Sequence, residues 1–112
     1  MYDELTELWE VLKKESRARF YEKFLALTGY KIGDKVNCEF DYEISSNHGC
    51  RSWREVLPGV LKQEDGILFI ESVQELPGAS FVNKGRKGYW NYFMEKKKVD
   101  VLNAVLLRKI RD

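Results

Sequence analysis

The sequence predicts an α+β fold: an N-terminal helix or helix pair packed on a small, strongly bent antiparallel sheet, with an SH3-like barrel as the closed form of the same strand rhythm. Three observations carry this. Apolar residues at helical spacing are confined to the first quarter of the chain. Period-two alternation and short apolar runs fill the rest. Turn signals at Asp65-Gly66 and Pro77-Gly78 punctuate those runs, and the hairpin turn together with the Pro58-Gly59 kink motivates the bend. At 112 residues the chain reads as one domain, with residues 1–29 as a helical arm and 30–112 as a strand-rich body. A chain of this size buries roughly two-thirds of its unfolded surface and folds without a metal or a disulfide.

Residues 4–28 read as helix. Leu5, Leu8, Trp9 and Leu12 form one apolar stripe, and Phe20, Phe24 and Leu27 form a second. The polar stretch between them is either the solvated face of one long helix or the start of a second helix capped by Ser16. Gly29 supplies the left-handed conformation that ends a helix. Val36, Cys38, Phe40, Tyr42 and Ile44 alternate with Asn37, Glu39, Asp41 and Glu43, as in a strand with one buried face. Ser45–Ser52 reads as a polar loop. Trp53–Gln63 reads as a strand interrupted at Pro58-Gly59, hence an edge or a bulge. Glu64-Asp65-Gly66 is a hairpin turn, and Ile67–Val73 returns as a strand. Leu76-Pro77-Gly78 turns the chain before a short strand at Ala79–Val82. Asn83–Gly88 is a basic loop and Tyr89–Met94 a strand. Residues 99–110 fit a strand through Val101, Asn103, Val105 and Leu107. They also fit a helix through Leu102, Val105, Leu106 and Ile110 capped by Asp100. The β-branched residues at the start favour the strand.

Composition narrows function. With 44% apolar and 33% charged residues the chain is globular rather than disordered. No apolar run approaches the roughly 20 residues that span a bilayer. The acidic start Met1-Tyr2-Asp3-Glu4 lacks the order of a signal peptide, so a cytoplasmic protein without membrane contact is expected. Cys38 and Cys50 are then expected to be thiols.

Catalytic and metal constellations are thin. His48 is the only histidine. Ser45, Ser46 and Cys50 lie near it in sequence, but residues two apart on an extended segment start roughly 6.5 Å apart. Cys38, His48 and Cys50, with Asp41 or Glu43 as a fourth ligand, lack the close pairing of structural zinc sites. Cys38 also falls in phase with the apolar face of its strand. Asn83–Gly88 is rich in glycine and cations but lacks the phosphate-loop pattern. No enzyme activity, cofactor or metal is expected.

Charge distribution supplies the one distinctive feature. Net charge is only +1, yet residues 84–98 carry six cations against one carboxylate, next to an acidic middle. Lys84, Arg86 and Lys87 precede Tyr89, Trp90, Tyr92 and Phe93, which run into Lys96, Lys97 and Lys98. Strand alternation places Tyr89 and Phe93 on one face and Trp90 and Tyr92 on the other. Rings beside cations suit a protein interface, where Trp, Tyr and Arg are the usual anchors. They also suit single-stranded nucleic acid, with bases stacking on rings. Near-neutral net charge and an acidic middle that repels phosphates favour the first. The expectation is therefore a small non-catalytic protein-binding or regulatory protein, such as an inhibitor, adaptor or accessory subunit. Lys84, Arg86, Lys87, Tyr89, Trp90, Tyr92, Lys96 and Lys97 would meet the partner, joined by the acidic strand face of Glu39, Asp41 and Glu43. A nucleic-acid-binding module using the same basic aromatic segment is the alternative.

Overall fold

The computed structural model describes residue 7 and residues 16–46, 49–85 and 87–111, the side chains of 45, 46, 49, 50 and 84 apart. The stripe of Leu5, Leu8, Trp9 and Leu12 lies outside the described residues, as do Asn47, His48 and Arg86. The order is α1 (Arg17–Thr28), β1 (Lys35–Ser46), β2 (Gly49–Glu64), β3 (Ile67–Lys84), β4 (Lys87–Asp100), α2 (Val101–Leu106) and β5 (Ile110–Arg111). Ser16 caps α1, its Oγ accepting the Arg19 N–H at 3.4 Å, and left-handed Gly29 closes it.

The strands form one antiparallel sheet in the order β4-β3-β2-β1-β5. This overturns the small, strongly bent sheet and the SH3-like barrel. The sheet is open, with β4 and β5 at its edges, and its three longest strands have 14 to 18 residues. Closure fails because residues 101–106 wind into a helix where a closing strand would be needed. The strand expected over 99–110 is corrected accordingly. Asp100 Oδ1 accepts the Leu102 N–H at 2.9 Å, and Val101, Leu102, Ala104 and Val105 are buried at helical spacing. The polar loop expected at Ser45–Ser52 is instead the end of a hairpin, since Ser45 pairs with Cys50 and Ser46 with Gly49. Likewise Leu76-Pro77-Gly78 is no turn: the three pair with Glu95, Met94 and Phe93 inside a continuous β3. The Asp-Gly turn stands as read, Asp65 and Gly66 having φ values of 51° and 78° between the paired Glu64 and Ile67.

Hydrogen-bond phase explains how the prolines fit. The pair closing a two-residue hairpin is hydrogen-bonded, and bonding then alternates along the strands. From Glu64↔Ile67, positions 62/69 and 60/71 bond, and 58/73 would come next. Pro58 has no N–H to donate there. The β2–β3 ladder ends at Gly59↔Ser72. Pro77 obeys the same logic. From Lys84↔Lys87, the bonded pairs are 82/89, 80/91 and 78/93, so the backbone of Pro77 and Ala79 points away from β4. The Ala79 N–H indeed donates to Glu43 Oε2 at 2.9 Å rather than to a strand. A register shift between Glu71 and Glu75 swings β3 further from β2. Ser72 patches it, its hydroxyl accepting the Lys97 N–H at 2.9 Å and donating to the Gln74 carbonyl at 2.7 Å. Above the shared base, the sheet therefore divides into two hairpin arms, and the molecule measures 50 × 27 × 25 Å.

The core lies at the base. Val36, Cys38 and Phe40 of β1, Leu61 of β2, and Leu68 and Ile70 of β3 face Phe20, Tyr21 and Phe24 of α1 and the buried side of α2. Both helices thus cover one face of the sheet. Burial pushes the Cys38 thiol up to about 11. Register places Cys50 opposite Ser45, about 23 Å along the strand from Cys38, far beyond the roughly 7 Å a disulfide tolerates. Asp100 ties the base together, accepting from Tyr21 Oη at 2.8 Å and pairing with Arg17 at 2.8 Å while it caps α2.

Asp100→Ala removes a helix cap and strands a buried tyrosine hydroxyl, so it is expected to cost about 2–3 kcal/mol in urea denaturation. Asp100→Asn is expected to recover part of that loss. Tyr21 supplies a pH test. Burial first, then the hydrogen bond to Asp100, pushes its hydroxyl up to about 12. The folded chain holds this proton where an unfolded chain, at about 10, releases it. Stability from Tyr21 is complete below pH of about 10 and is lost as pH rises towards about 12. Tyr21→Phe should flatten that alkaline decline, measured by denaturation across the same window.

Candidate functional site

The β3–β4 arm carries the basic aromatic segment. Residues on β4 alternate between two faces, and cross-strand partners share a face. Trp90 pairs with Phe81, Tyr92 with Ala79, Met94 with Pro77 and Lys96 with Glu75. These lie on the face continuous with Phe69, Glu71 and Lys98 at the base, which is the side away from the helices. Tyr89, Phe93 and Lys97 lie on the other side. There Phe93, Glu95 and Lys97 border a cleft of about 270 Å³ with Asp41, Tyr42, Glu43 and Ser52 of the first arm. The eight residues expected to form one contact surface are thus divided between two. Lys87 is exposed at the arm's tip; Arg86 and the Lys84 side chain lie outside the described residues.

On the helix-free face the rings stand in solvent. Phe81 is 58% exposed, Met94 57%, Trp90 47% and Tyr92 41%. The Phe81 and Trp90 rings meet edge to face with centroids 5.5 Å apart. Gly88 makes room for this: a Cβ there would lie 2.0 Å from the Phe81 ring. Gly78 does the same on the opposite face, where a Cβ would lie 2.7 Å from Phe93. Each arm face therefore has an aromatic laid across a glycine on the neighbouring strand. Phe81 and Met94 were not singled out from the sequence. Met94 was within reach of the two-residue period from Trp90 and Tyr92. Phe81 required knowing that Lys84 pairs with Lys87.

The basic half of the segment is largely matched by carboxylates. Lys97 Nζ lies 2.8 Å from Glu95 and 6.0 Å from the Phe93 ring centre. Lys98 lies 3.9 Å from Glu71 and above the Phe69 ring. Lys62 bonds Glu71 at 2.8 Å, and this bond, with Lys98 and Lys96 adding to it, holds the Glu71 carboxyl below its ordinary range despite its burial. The carboxylates of the acidic strand face also have partners within the chain. Asp41 pairs with both Arg54 and Lys109 at 3.1 Å, Glu39 with Arg111 at 3.7 Å, and Glu43 accepts from Ala79. Alternation located these carboxylates correctly but is blind to cations brought in by β2 and β5.

Among the described residues, no three histidine, cysteine, aspartate or glutamate side chains cluster as metal ligands would, and no helix is long and apolar enough to cross a membrane. Comparison with family models, with curated proteins and with solved structures found no match to this chain.

Because Trp90 packs mainly against Phe81, Trp90→Ala is expected to change unfolding free energy by less than about 1 kcal/mol. Phe40→Ala, in the core, should cost about 3–5 kcal/mol. Parallel urea titrations compare the two, and equal losses would place Trp90 among the core residues.

Proposed function

We propose that this chain is a small non-catalytic protein-binding or regulatory protein, and that it meets its partner with the helix-free face of the β3–β4 arm. One observation carries the reading. Phe81, Trp90, Tyr92 and Met94 share one face of a two-stranded arm, and all four are exposed. Nothing in the core requires them there. Contiguous exposed apolar side chains with a polar border mark interaction surfaces, and aromatics and methionine are enriched at such surfaces. Lys96, Glu75, Lys98, Glu71 and Lys62 form a mixed-charge border at the arm's base. Trp90, flanked by Phe81 and Tyr92, is the expected energetic anchor.

The same charge pairing weighs against phosphate recognition. A nucleic-acid groove needs cations that release counterions on binding. Here Lys97 and Lys98 sit beside carboxylates of their own arm, and Lys96 is opposite Glu75 across the ladder.

Affinity capture with quantitative mass spectrometry, comparing the intact chain with Trp90→Ala and Tyr92→Ala, tests the reading. Partners on this face should fall at least tenfold with either variant, while a Thr28→Ala control retains them. Fluorescence anisotropy with single-stranded RNA and DNA at low salt forms the second arm. Binding that weakens with a slope near −0.7 per phosphate contact on the logarithmic salt scale would move the reading to nucleic acid.

A further inference from the structure

We propose that the outer edge of β4 pairs with β4 of a second copy, antiparallel and centred on Asn91. This goes beyond the face reading, because it uses the backbone edge of the arm rather than its side-chain face. The argument begins with how the other free flanks are guarded. Above the base, β2 presents Pro58, which has no N–H, where its ladder to β3 stops. The free flank of β3 carries Pro77, and the neighbouring Ala79 N–H is taken by Glu43. Prolines and side-chain caps of this kind keep sheet edges from pairing with other chains. Among the described residues, the edge of β4 has no such guard. Gly88–Met94 contains no proline and no charged residue, and every position in it is exposed. By the phase set at Lys84↔Lys87, the N–H and C=O groups of Gly88, Trp90, Tyr92 and Met94 point outward, away from β3.

The charge pattern selects the occupant and the register. An outward-bonding residue must meet another outward-bonding residue, which restricts a two-fold antiparallel pairing to alternate registers. Centring on Asn91 places Lys87 opposite Glu95 of the second copy, twice by symmetry. It also sets Trp90 against Tyr92 and Tyr89 against Phe93, aromatic pairs favoured across strands. Centring on Tyr92 instead would oppose Lys87 and Lys97, and centring on Trp90 would leave Lys87 facing Phe93. Of these three registers, centring on Asn91 alone sets Lys87 against a carboxylate and opposes all four rings to rings. The two helix-free faces would then join into one continuous aromatic surface.

Sedimentation velocity on the full chain, with far-UV circular dichroism to verify folding, is the test. The native chain should dimerise reversibly. Lys87→Glu should weaken the dimer roughly tenfold by placing like charges across both symmetric pairs. Adding Glu95→Lys to Lys87→Glu should restore it. A cysteine probe gives an independent readout: Asn91→Cys should form a disulfide between copies under mild oxidation, whereas Ser80→Cys, on the neighbouring strand, should not. A native chain that stays monomeric at millimolar concentration overturns the pairing, as does a charge swap that fails to restore the dimer. Either result leaves the face reading standing, because partner loss in Trp90→Ala is measured separately.

Discussion

One missing hydrogen-bond donor organises this molecule. At Pro58 the ladder between the central strands reaches a rung it cannot make, and pairing stops at Gly59↔Ser72. Below that point five strands share a sheet and bury a core against two helices. Above it the same strands continue as two hairpins with no β2–β3 backbone pairing between them, bridged where Glu43 accepts from the Ala79 N–H. The bulge between Glu71 and Glu75 completes the separation, and the Ser72 hydroxyl stands in for the backbone partner that Lys97 lacks there. Without this division, β2 and β3 could pair along their whole length, and the aromatic arm would be a sheet margin rather than a projection.

The core explains why the arm's rings are available. Phe20, Phe24 and Phe40, with aliphatic side chains from every strand, β4 contributing only Val99 at its base, fill the space between helices and sheet. Apolar area left in water forgoes about 25 cal/mol for each Å² that burial would have gained. Four large side chains held on one exposed face are thus a standing loss of stability in the isolated chain. Phe81 lies over Gly88 and meets Trp90 edge to face, which packs these two rings together while leaving both exposed. Charges follow a different rule. Lys97 and Lys98 lie beside the Glu95 and Glu71 carboxylates, so part of a segment that looks strongly basic in the one-dimensional pattern is matched in space.

Several features were legible from residue order alone. The alternation at Val36–Ile44, the Asp65-Gly66 hairpin, the Gly29 boundary, Ser16 as one of two possible starts for its helix, and the split of aromatics between two strand faces all rest on local geometry. The misreadings share a cause. Pro77-Gly78 carries the local signature of a turn, yet it lies inside a strand, because proline is tolerated wherever its missing N–H would face an unpaired flank. Which flank is unpaired is a property of the ladder. Residues 101–106 fit both periods, and burial against α1 together with the Asp100 cap decided for helix. The closing strand of a barrel disappeared with that choice.

By itself the sequence determined the parts: a strand-rich chain with a capped helix, one tight Asp-Gly hairpin and a run of rings bounded by cations, since each depends on contacts within a few residues. Tertiary structure alone decided that the sheet stays open, that Glu39 and Asp41 of the acidic row meet cations from other parts of the chain, and that Phe81 and Met94 join Trp90 and Tyr92. Those outcomes depend on strand register and hydrogen-bond phase, which arise only when residues far apart in the chain are set side by side.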